Sequence, residues 1–317
     1  MARRMALWIL VLQLLSATGI AYAVYRAVPG AGVASAVVIA VLVVLLVRMS
    51  FTASNFLLSW RHRSVTPPAH ALTPAARLRL FGGEYRANVL ATSWHMPRHR
   101  ASAAHLDDTA RATLPVLLVH GYGCNGGYWT PLRAVLRAAG IGHTTLDLEP
   151  VIADIDDYGR QVDGAVRALC AATGAPQAII VAHSMGGLAA RACLRSGGAA
   201  HIARVITLGT PHHGTHLAKL GPGINAQQMR WQSPWLLALA ASEDDARRAL
   251  ITSIWSHHDN IVAPQTSCYL PGAVNREFSA VGHVALGSDT RIMQAIVDEI
   301  ASAPHSMRAM DMAGFVR

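Results

Sequence analysis

Two long stretches near the start of the chain carry no charged residue, and they constrain the fold more than any other feature. They run over residues 5–25 and 27–47, with Arg26 alone between them. About 20 apolar residues in a helix are enough to cross the hydrocarbon core of a bilayer. One proline and two glycines at the junction favour a tight turn. We therefore expect residues 1–50 to form a hairpin of two transmembrane helices.

The two apolar runs leave alternatives open. They could be buried helices of a soluble core. The first run could instead be a secretory signal, because Arg3 and Arg4 precede it and Ala21-Tyr22-Ala23 fits an A-x-A cleavage site. Its length and the second run directly after it favour a membrane hairpin. If the first run were cleaved, the second would still serve as a single anchor.

The arginines around the runs predict the orientation of the hairpin. Positive residues favour the cytoplasmic side, and they flank the hairpin at both outer ends: Arg3 and Arg4 before the first run, and Arg48, Arg61, Arg63, Arg77 and Arg79 after the second. The turn has only Arg26. We expect a multi-pass protein of the inner (cytoplasmic) membrane, with its N-terminus and the rest of the chain in the cytoplasm.

The net charge of +9 does not indicate nucleic-acid binding. The arginines are scattered, and no basic stripe interleaved with aromatic residues is present. Attraction to anionic lipid headgroups explains the arginines beside the apolar runs more simply. The four cysteines are widely spaced without a C-x-x-C pair, which is typical of reduced thiols in a cytosolic domain.

Residues 51–113 form a region of different character. Phe51 to Trp60 could lie in the membrane interface, and the prolines at 67 and 68 indicate a linker. The segment Glu84 to Leu90 predicts an early strand. The polar stretch Arg98 to Thr113 predicts a loop.

Beyond Pro115, strand-like and helix-like segments alternate. Continuous apolar strands separated by helices indicate a mostly parallel sheet with helices on both faces. The expected strands are 116–119, 143–148, 178–182, 204–208, 251–255 and 277–281, and the expected helices are 129–139, 158–172, 188–195 and 290–300. We assign residues 114–302 to this α/β domain and residues 303–317 to a C-terminal tail.

One serine of this domain lies where a nucleophile would be exposed. Ser184 follows an apolar strand and precedes a helix, in the sequence Ala182-His183-Ser184-Met185-Gly186. Small flanking residues permit the strained strand-to-helix turn that exposes a nucleophile. The segment resembles the nucleophile elbow of the α/β-hydrolase fold. It departs from G-x-S-x-G at Ala182, a substitution that small bacterial lipases also show.

A nucleophilic serine needs a base and an orienting acid. In the family these follow the serine in the order acid, histidine. Asp259 comes just after one late strand and His283 just after another, so we expect them to complete a catalytic triad with Ser184. Asp244, Asp245 and Asp289 are the alternatives for the acid, in helix-like contexts.

The segment His120-Gly121-Tyr122-Gly123 follows the strand 116–119, where the family places its first oxyanion donor. The resemblance implies an oxyanion hole made by the backbone N–H groups of Tyr122 and Met185. Since glycines favour turns in any case, a purely structural turn is the alternative.

A narrower resemblance comes from the string Thr207-Leu208-Gly209-Thr210-Pro211-His212-His213-Gly214-Thr215. It is similar to the TLGTPHxGT segment of bacterial lipases. The resemblance covers about residues 114–302 and implies a serine esterase or lipase acting on lipid or other esters. A phospholipase, thioesterase or acyltransferase would use the same groups. A membrane scaffold that keeps the fold without turnover is the alternative of another class.

We expect His120, Trp231 and Trp235 to contact substrate. The two tryptophans belong to an apolar insertion, residues 217–246, which either caps the site or packs on the sheet. Five histidines raise the question of a metal: His212, His213, His216, His257 and His258. Their spacing demands none, and we expect neither a metal nor a cofactor.

Overall fold

The computed structural model describes residues 1–100 and 114–303. Within them, six parallel strands form one sheet in the order β2-β1-β3-β4-β5-β6. The strands are β1 (Val116–Val119), β2 (His143–Leu146), β3 (Ala178–His183), β4 (Ile202–Leu208), β5 (Ile251–Ser256) and β6 (Val274–Phe278). The expected parallel α/β sheet is confirmed.

Helices connect the strands and precede the sheet. The α-helices are α1 (Ala2–Ala27), α2 (Val33–Arg61), α3 (Pro74–Leu90), α4 (Met96–Arg98), α5 (Thr130–Ala138), α6 (Ile155–Thr173), α7 (Met185–Arg195), α8 (Ile224–Gln228), α9 (Pro234–Ala241), α10 (Asp245–Ala249) and α11 (Thr290–Ala301). A π-helical turn, Ala91–His95, joins α3 to α4. Short 3₁₀ helices are Pro68–His70, Gly126–Trp129, Gly198–His201, His216–Leu220, Gln265–Cys268 and Val284–Gly287.

The sheet is buried on both faces. Successive strand residues point to opposite sides, and in β1 the side chains of Leu117 and Val119 pack with α6 and α7. Val116 and Leu118 pack on the other face with α5 and α11. This arrangement explains why β1 and β3 are continuous apolar runs that the sequence reveals directly.

The edge strand β6 differs from its prediction. The structure places it at Val274–Phe278, three residues before the expected segment 277–281. Its side chains are exposed or half-buried, and the strand includes Asn275, Arg276 and Glu277. Because only one side of β6 pairs with the sheet, its sequence lacks the apolar run by which the central strands are recognised.

The N-terminal part contains two helices long and apolar enough to cross a membrane. Helix α1 has 26 residues and a mean hydropathy of 1.9, and α2 has 29 residues and a mean hydropathy of 2.6. Most of their surface is exposed in the protein. The side chain of Arg48 in α2 donates to Gln13 of α1 at 3.1 Å, so the helices lie side by side.

The expected domain boundary at residue 50 falls inside α2. The helix continues without interruption to Arg61, so the segment Phe51 to Trp60 is its last three turns. No proline or glycine interrupts residues 33–61, and the first strong breaker is Pro67. The hairpin therefore reaches further into the chain than the run of uncharged residues indicates.

The strand expected at Glu84 to Leu90 is wrong, because this segment is the end of helix α3. The helix begins with a side-chain cap, in which Thr73 Oγ1 accepts from the N–H of Ala76 at 3.2 Å, and Pro74 occupies its first position. This N-terminal signal lies ten residues before the segment that we interpreted as a strand. The expected loop 98–113 and tail 303–317 lie mostly outside the described residues.

Candidate active site

The residues expected to do chemistry meet at one edge of the sheet. Ser184 follows β3, Asp259 lies beyond β5, His283 lies beyond β6 and Tyr122 follows β1. Because these strands are parallel, their carboxyl ends lie at the same edge, where ligands bind in open α/β sheets. The fold thus brings together four segments that are far apart in the sequence.

Ser184 occupies a strained turn between β3 and α7. Its φ of 54° and ψ of −124° are uncommon for a residue with a side chain. The backbone is held there by a hydrogen bond from the N–H of Ser184 to the carbonyl of Leu208, 2.8 Å long. A Cβ at Gly186 would lie 2.5 Å from the carbonyl oxygen of His120, so only glycine fits this part of the elbow.

Asp259 and His283 form a buried pair. Asp259 Oδ2 lies 2.7 Å from His283 Nδ1. Its second oxygen, Oδ1, accepts from the N–H groups of Ile261 and Val262, both at 2.8 Å. With the carboxylate fixed by two amides, its remaining oxygen is available to orient the imidazole and leaves Nε2 as the free ring nitrogen.

The alternative acids are occupied elsewhere. Asp244 caps α10 by accepting from the N–H of Arg247 at 2.8 Å, and Asp245 lies in the first turn of that helix. Asp289 caps α11 through the N–H groups of Arg291 and Ile292. Within the described chain the geometry therefore favours Asp259 as the partner of His283.

The environment of His283 favours its charged form. Burial lowers the pKa of His283, but the charge of Asp259, its hydrogen bond and the nearby Glu84 carboxylate outweigh this effect. The net pKa of His283 is raised above its ordinary value. A histidine with this pKa is a stronger base toward a serine hydroxyl.

The backbone of His283 is held by two further side chains. Its N–H donates to Asn260 Oδ1 at 2.9 Å. His183 Nε2 lies 3.1 Å from the carbonyl oxygen of His283 and donates to it. Burial and the neighbouring His283 hold the pKa of His183 well below its usual range, so His183 is a neutral donor. Nothing in the sequence indicates this role of His183, although it lies directly before Ser184.

Glu84 of helix α3 contacts the same loop. Its Oε1 accepts from the N–H of Val284 at 3.0 Å and its Oε2 from the N–H of Ala285 at 2.9 Å. The residue is 2% exposed. A Cβ at Gly282 would lie 2.5 Å from Oε2, so a glycine is required for this close approach. From the sequence, Glu84 is expected in a strand, and no local pattern indicates these contacts.

The expected oxyanion donors flank Ser184. A Cβ built at Gly121 would lie 2.9 Å from the Cβ of Ser184, so the loop that carries the N–H of Tyr122 packs directly on the nucleophile. Met185 is the first residue of α7, and the first N–H groups of a helix have no partner within it. Both residues therefore lie close to Ser184 in the structure, and their role as oxyanion donors stays a prediction.

The segment 207–215 supports the elbow and the buried pair. Leu208 accepts from the N–H of Ser184, and Thr210 Oγ1 donates to the carbonyl of Ser184 at 2.9 Å. Gly209 has a φ of +54°, and a Cβ there would lie 3.1 Å from Asp259 Oδ2 and 3.2 Å from His283 Nδ1. These contacts explain why a Thr-Leu-Gly-Thr sequence suits the strand beside a nucleophile elbow.

His120 has both ring nitrogens engaged. Nδ1 lies 2.9 Å from the carbonyl of Gly121, and Nε2 accepts from the N–H of Leu148 at 2.9 Å. Burial lowers the pKa of His120, although the Gly121 carbonyl and Asp147 oppose this effect. The recorded contacts fix the loop before Tyr122, and direct binding of substrate by His120 stays a prediction.

The two tryptophans expected at the substrate contact other parts of the protein. Trp235 Nε1 donates to Asp156 of α6 at 3.2 Å, and the Arg195 guanidinium lies 5.8 Å from the Trp235 ring. The Trp231 ring stacks on His216, which in turn stacks on His62 after α2. Helix α9 of the insertion buries Leu236 and Leu239. These contacts favour packing on the sheet over a free cap, and a role of either tryptophan in substrate binding stays a prediction.

One cluster of the described residues offers ligands that a cation could use. Atoms of His70, His257 and Glu277 lie within 4.8 Å of one another. His257 Nε2 is 2.8 Å from Glu277 Oε2, and His70 Nδ1 is 2.6 Å from Ser279 Oγ, so hydrogen bonds already link the group. The four cysteines, Cys124, Cys170, Cys193 and Cys268, are free thiols.

Comparison with known proteins agrees with this architecture. The Alpha/beta hydrolase family is matched over residues 116–314. A triacylglycerol lipase of Burkholderia plantarii is 34% identical over 125 residues, which are 37% of this chain and 35% of the relative. A triacylglycerol lipase of Pseudarthrobacter phenanthrenivorans is 33% identical over 120 residues, 35% of this chain and 37% of the relative. The chain thus spans about a third of the length of the curated relatives it matches.

Two solved structures share the fold. The mature form of the Bacillus licheniformis lipase BlEst2 has a TM-score of 0.55 at 18% identity, covering 63% of this chain and 96% of that chain. Aspergillus fumigatus lipase B has a TM-score of 0.56 at 20% identity, covering 64% of this chain and 57% of that chain. With the family matched over most of the chain and the same sheet present, the chain belongs to the α/β-hydrolase family.

Proposed function

We propose that the protein is a membrane-anchored serine hydrolase that cleaves carboxylic esters through an acyl-enzyme. The observation that carries the proposal is the buried pair of Asp259 and His283, 2.7 Å apart, at the sheet edge where Ser184 occupies a strained elbow. A serine, an aspartate and a histidine in this order along an α/β-hydrolase fold match the roles needed for nucleophilic acyl transfer.

In the proposed mechanism Ser184 Oγ attacks the ester carbonyl while His283 Nε2 takes its proton. Asp259 orients the imidazole and stabilises the imidazolium. The negative charge on the former carbonyl oxygen is stabilised by the N–H groups of Tyr122 and Met185. The tetrahedral intermediate then expels the alcohol, which receives the proton from His283. Water attacks the acyl-enzyme with His283 again as base, releasing the acid and restoring Ser184.

The substrates that fit best are lipid-like esters. Both curated relatives are named triacylglycerol lipases, and the chain carries two helices apolar enough to lie in a bilayer. A phospholipase or thioesterase would use the same acyl-enzyme with another leaving group, and an acyltransferase would replace water by an alcohol. A scaffold without turnover is disfavoured because nucleophile, base and acid are all present.

The hairpin of α1 and α2 is proposed as the anchor. Both outer ends of the hairpin contact the rest of the protein, since Arg3 donates to the carbonyl of Pro97 at 3.0 Å and α2 leads into the linker before α3. The N-terminus and the hydrolase domain therefore lie at the same end of the hairpin. Together with the arginines at that end, this supports a cytoplasmic hydrolase domain at the inner membrane.

The test uses the full chain solubilised in detergent. A fluorophosphonate probe should label the wild type, and peptide mapping should find the adduct on Ser184. A panel of p-nitrophenyl esters, lysophospholipids and acyl thioesters should show turnover that peaks with apolar acyl chains. Absence of labelling and of turnover in folded protein would support the scaffold instead.

A further inference from the structure

We propose that Glu84, on the helix that follows the membrane hairpin, is a positioning residue for the catalytic histidine. This inference rests on the proposed function of Ser184 and His283. Glu84 lies outside the region that the hydrolase family covers, which begins at residue 116. Its carboxylate nevertheless reaches the two residues directly after His283.

The geometry fits an ionised carboxylate. Each oxygen of Glu84 accepts from a different backbone N–H, those of Val284 and Ala285. A protonated acid would have to donate from one of these oxygens, and both already face donors. The net pKa of Glu84 is raised above its ordinary value, chiefly by burial and further by the charge of Asp259, and the two backbone hydrogen bonds and His283 oppose this rise. The bonds that hold the loop therefore also stabilise the charge.

Glu84 adds to the support of His283 by holding the two residues that follow it. The imidazole is held by Asp259, the N–H of residue 283 by Asn260 and its carbonyl by His183. Without Glu84, the chain after residue 283 would lose two charge-assisted hydrogen bonds, which are stronger than neutral ones. The 3₁₀ turn Val284–Gly287 that continues the loop would lose the same support.

The Glu84 charge also acts on the imidazole. It raises the pKa of His283, in the same direction as Asp259. The other titratable groups that interact with Glu84 are Asp259 and the Tyr128 phenol, whose pKa burial raises well above its usual range. Tyr128 is therefore neutral, and Asp259 and Glu84 are the two negative charges beside His283.

Helix α3 in turn is packed against the membrane hairpin. The Tyr85 hydroxyl donates to the carbonyl of Leu45 in α2 at 2.8 Å. The rings of Phe56 and Phe81 lie 5.9 Å apart. A continuous series of contacts thus runs from α2 through α3 and Glu84 to the loop of His283.

The main test compares Glu84→Gln with Glu299→Gln in the full chain in detergent. Glu299 is a matched control, because it is also buried, at 3% exposed, and pairs with Arg204 and Arg276 away from the loop. We expect Glu84→Gln to lower kcat by about 10- to 100-fold with KM little changed, since small displacements of catalytic groups cost about this much. Removing a negative charge lowers the pKa of His283, so the acid limb of kcat/KM should move to lower pH.

Glu299→Gln should leave the acid limb in place, even if it lowers the melting temperature as much. An unchanged kcat and an unchanged acid limb in folded Glu84→Gln would overturn the proposal. So would a loss of activity that merely follows the fraction of unfolded protein.

Two further variants separate position from charge and cover a failure of Glu84→Gln to fold. Glu84→Asp keeps the charge but shortens the reach, so kcat should fall while the acid limb stays close to that of the wild type. Gly282→Ala keeps Glu84 but places a Cβ where its carboxylate lies, and kcat should fall here too. Wild-type kcat in both variants would contradict the proposal.

Fluorophosphonate labelling of the wild type distinguishes the two levels of inference. If Ser184 of the wild type is not labelled, the proposed function fails. If it is labelled, and Glu84→Gln is labelled at the same rate over the same pH range, only the role of Glu84 fails.

Discussion

The N-terminal helices and the central sheet are both built from apolar residues, but the helices expose most of these side chains and the sheet buries them. Leu12 in α1 and Val38 in α2 are 61% and 57% exposed, whereas Leu118 in β1 and Ile180 in β3 are 0% exposed. Leaving such a side chain in water costs about 1.5–3 kcal/mol relative to burying it. The side chains of the sheet are removed from water by packing within the protein. Those of the hairpin would be removed from water only in an apolar surrounding such as lipid.

The two regions also differ in the length of their apolar runs. In the sheet, runs of four to seven residues end at turns, and the strands cover one another with helices on both faces. In the hairpin, each run is longer than 20 residues and has no partner for most of its surface. Run length, more than apolar content, distinguishes the strands of the sheet from the helices that are long enough to cross a bilayer.

The largest expected effect that distinguishes the two regions comes from replacing Ser184 or His283, which should nearly abolish turnover and leave membrane association unchanged. Ser184→Ala and His283→Ala should each lower ester turnover by about 10³-fold or more, because the two residues act as a unit. The double variant should lose little more. All three should stay in the membrane fraction, and Ser196→Ala, at the end of α7, should keep normal turnover. Near-full activity in Ser184→Ala would contradict the proposal that Ser184 is the nucleophile.

The acid should show a smaller effect within the same region. Asp259→Asn should fold normally but lose activity, about 10- to 100-fold less severely than Ser184→Ala, because an amide favours the wrong tautomer of His283. Steady-state rates on p-nitrophenyl esters measure this loss. Asp289→Asn is the matched control, since that carboxylate caps α11. If Asp289→Asn is the damaging change, the acid is Asp289, before α11, and not Asp259, after β5.

Reporter fusions test the proposed membrane topology of the hairpin formed by α1 and α2. A green fluorescent protein after residue 317 should fluoresce, and alkaline phosphatase at the same place should be inactive, because it needs oxidised disulfides. Phosphatase inserted at the turn near Gly30 should show the reverse and be active. A C-terminal phosphatase with high activity would place the hydrolase domain in the periplasm and leave α2 as a single anchor.

The smallest expected effect is on pH dependence. Protonated His283 cannot take the Ser184 proton, so kcat/KM should fall as the pH is lowered through the pKa of His283. Because that pKa is raised above the ordinary histidine value of 6.5, the midpoint of the acid limb should lie above 6.5. A midpoint below this value would mean that burial outweighs the two carboxylates.

The sequence points to Ser184, Asp259 and His283 because the chemistry expected of them leaves local signs. A strand, a small-residue turn and a helix around Ser184 identify the elbow, and the order of acid and histidine follows from the family. The supporting groups leave no such sign. Glu84 contacts Val284 across 200 positions of the chain, and only folding brings α3 onto that loop. The exposed edge strand β6 was misplaced because few of its residues are apolar.

Helix α2 has a length that exceeds what crossing a bilayer requires. Its 29 residues correspond to about 43 Å at 1.5 Å per residue, whereas the hydrocarbon core is about 30 Å thick. With α2 across the bilayer, the surplus projects toward the hydrolase domain, and the stacked rings of His62 and His216, 4.1 Å apart, join its end to that domain. In that arrangement, the length of α2 sets the distance between the bilayer and the hydrolase domain. If the protein is anchored as proposed, Ser184 would lie at a fixed height above the lipid, and only esters that extend to that level would reach it.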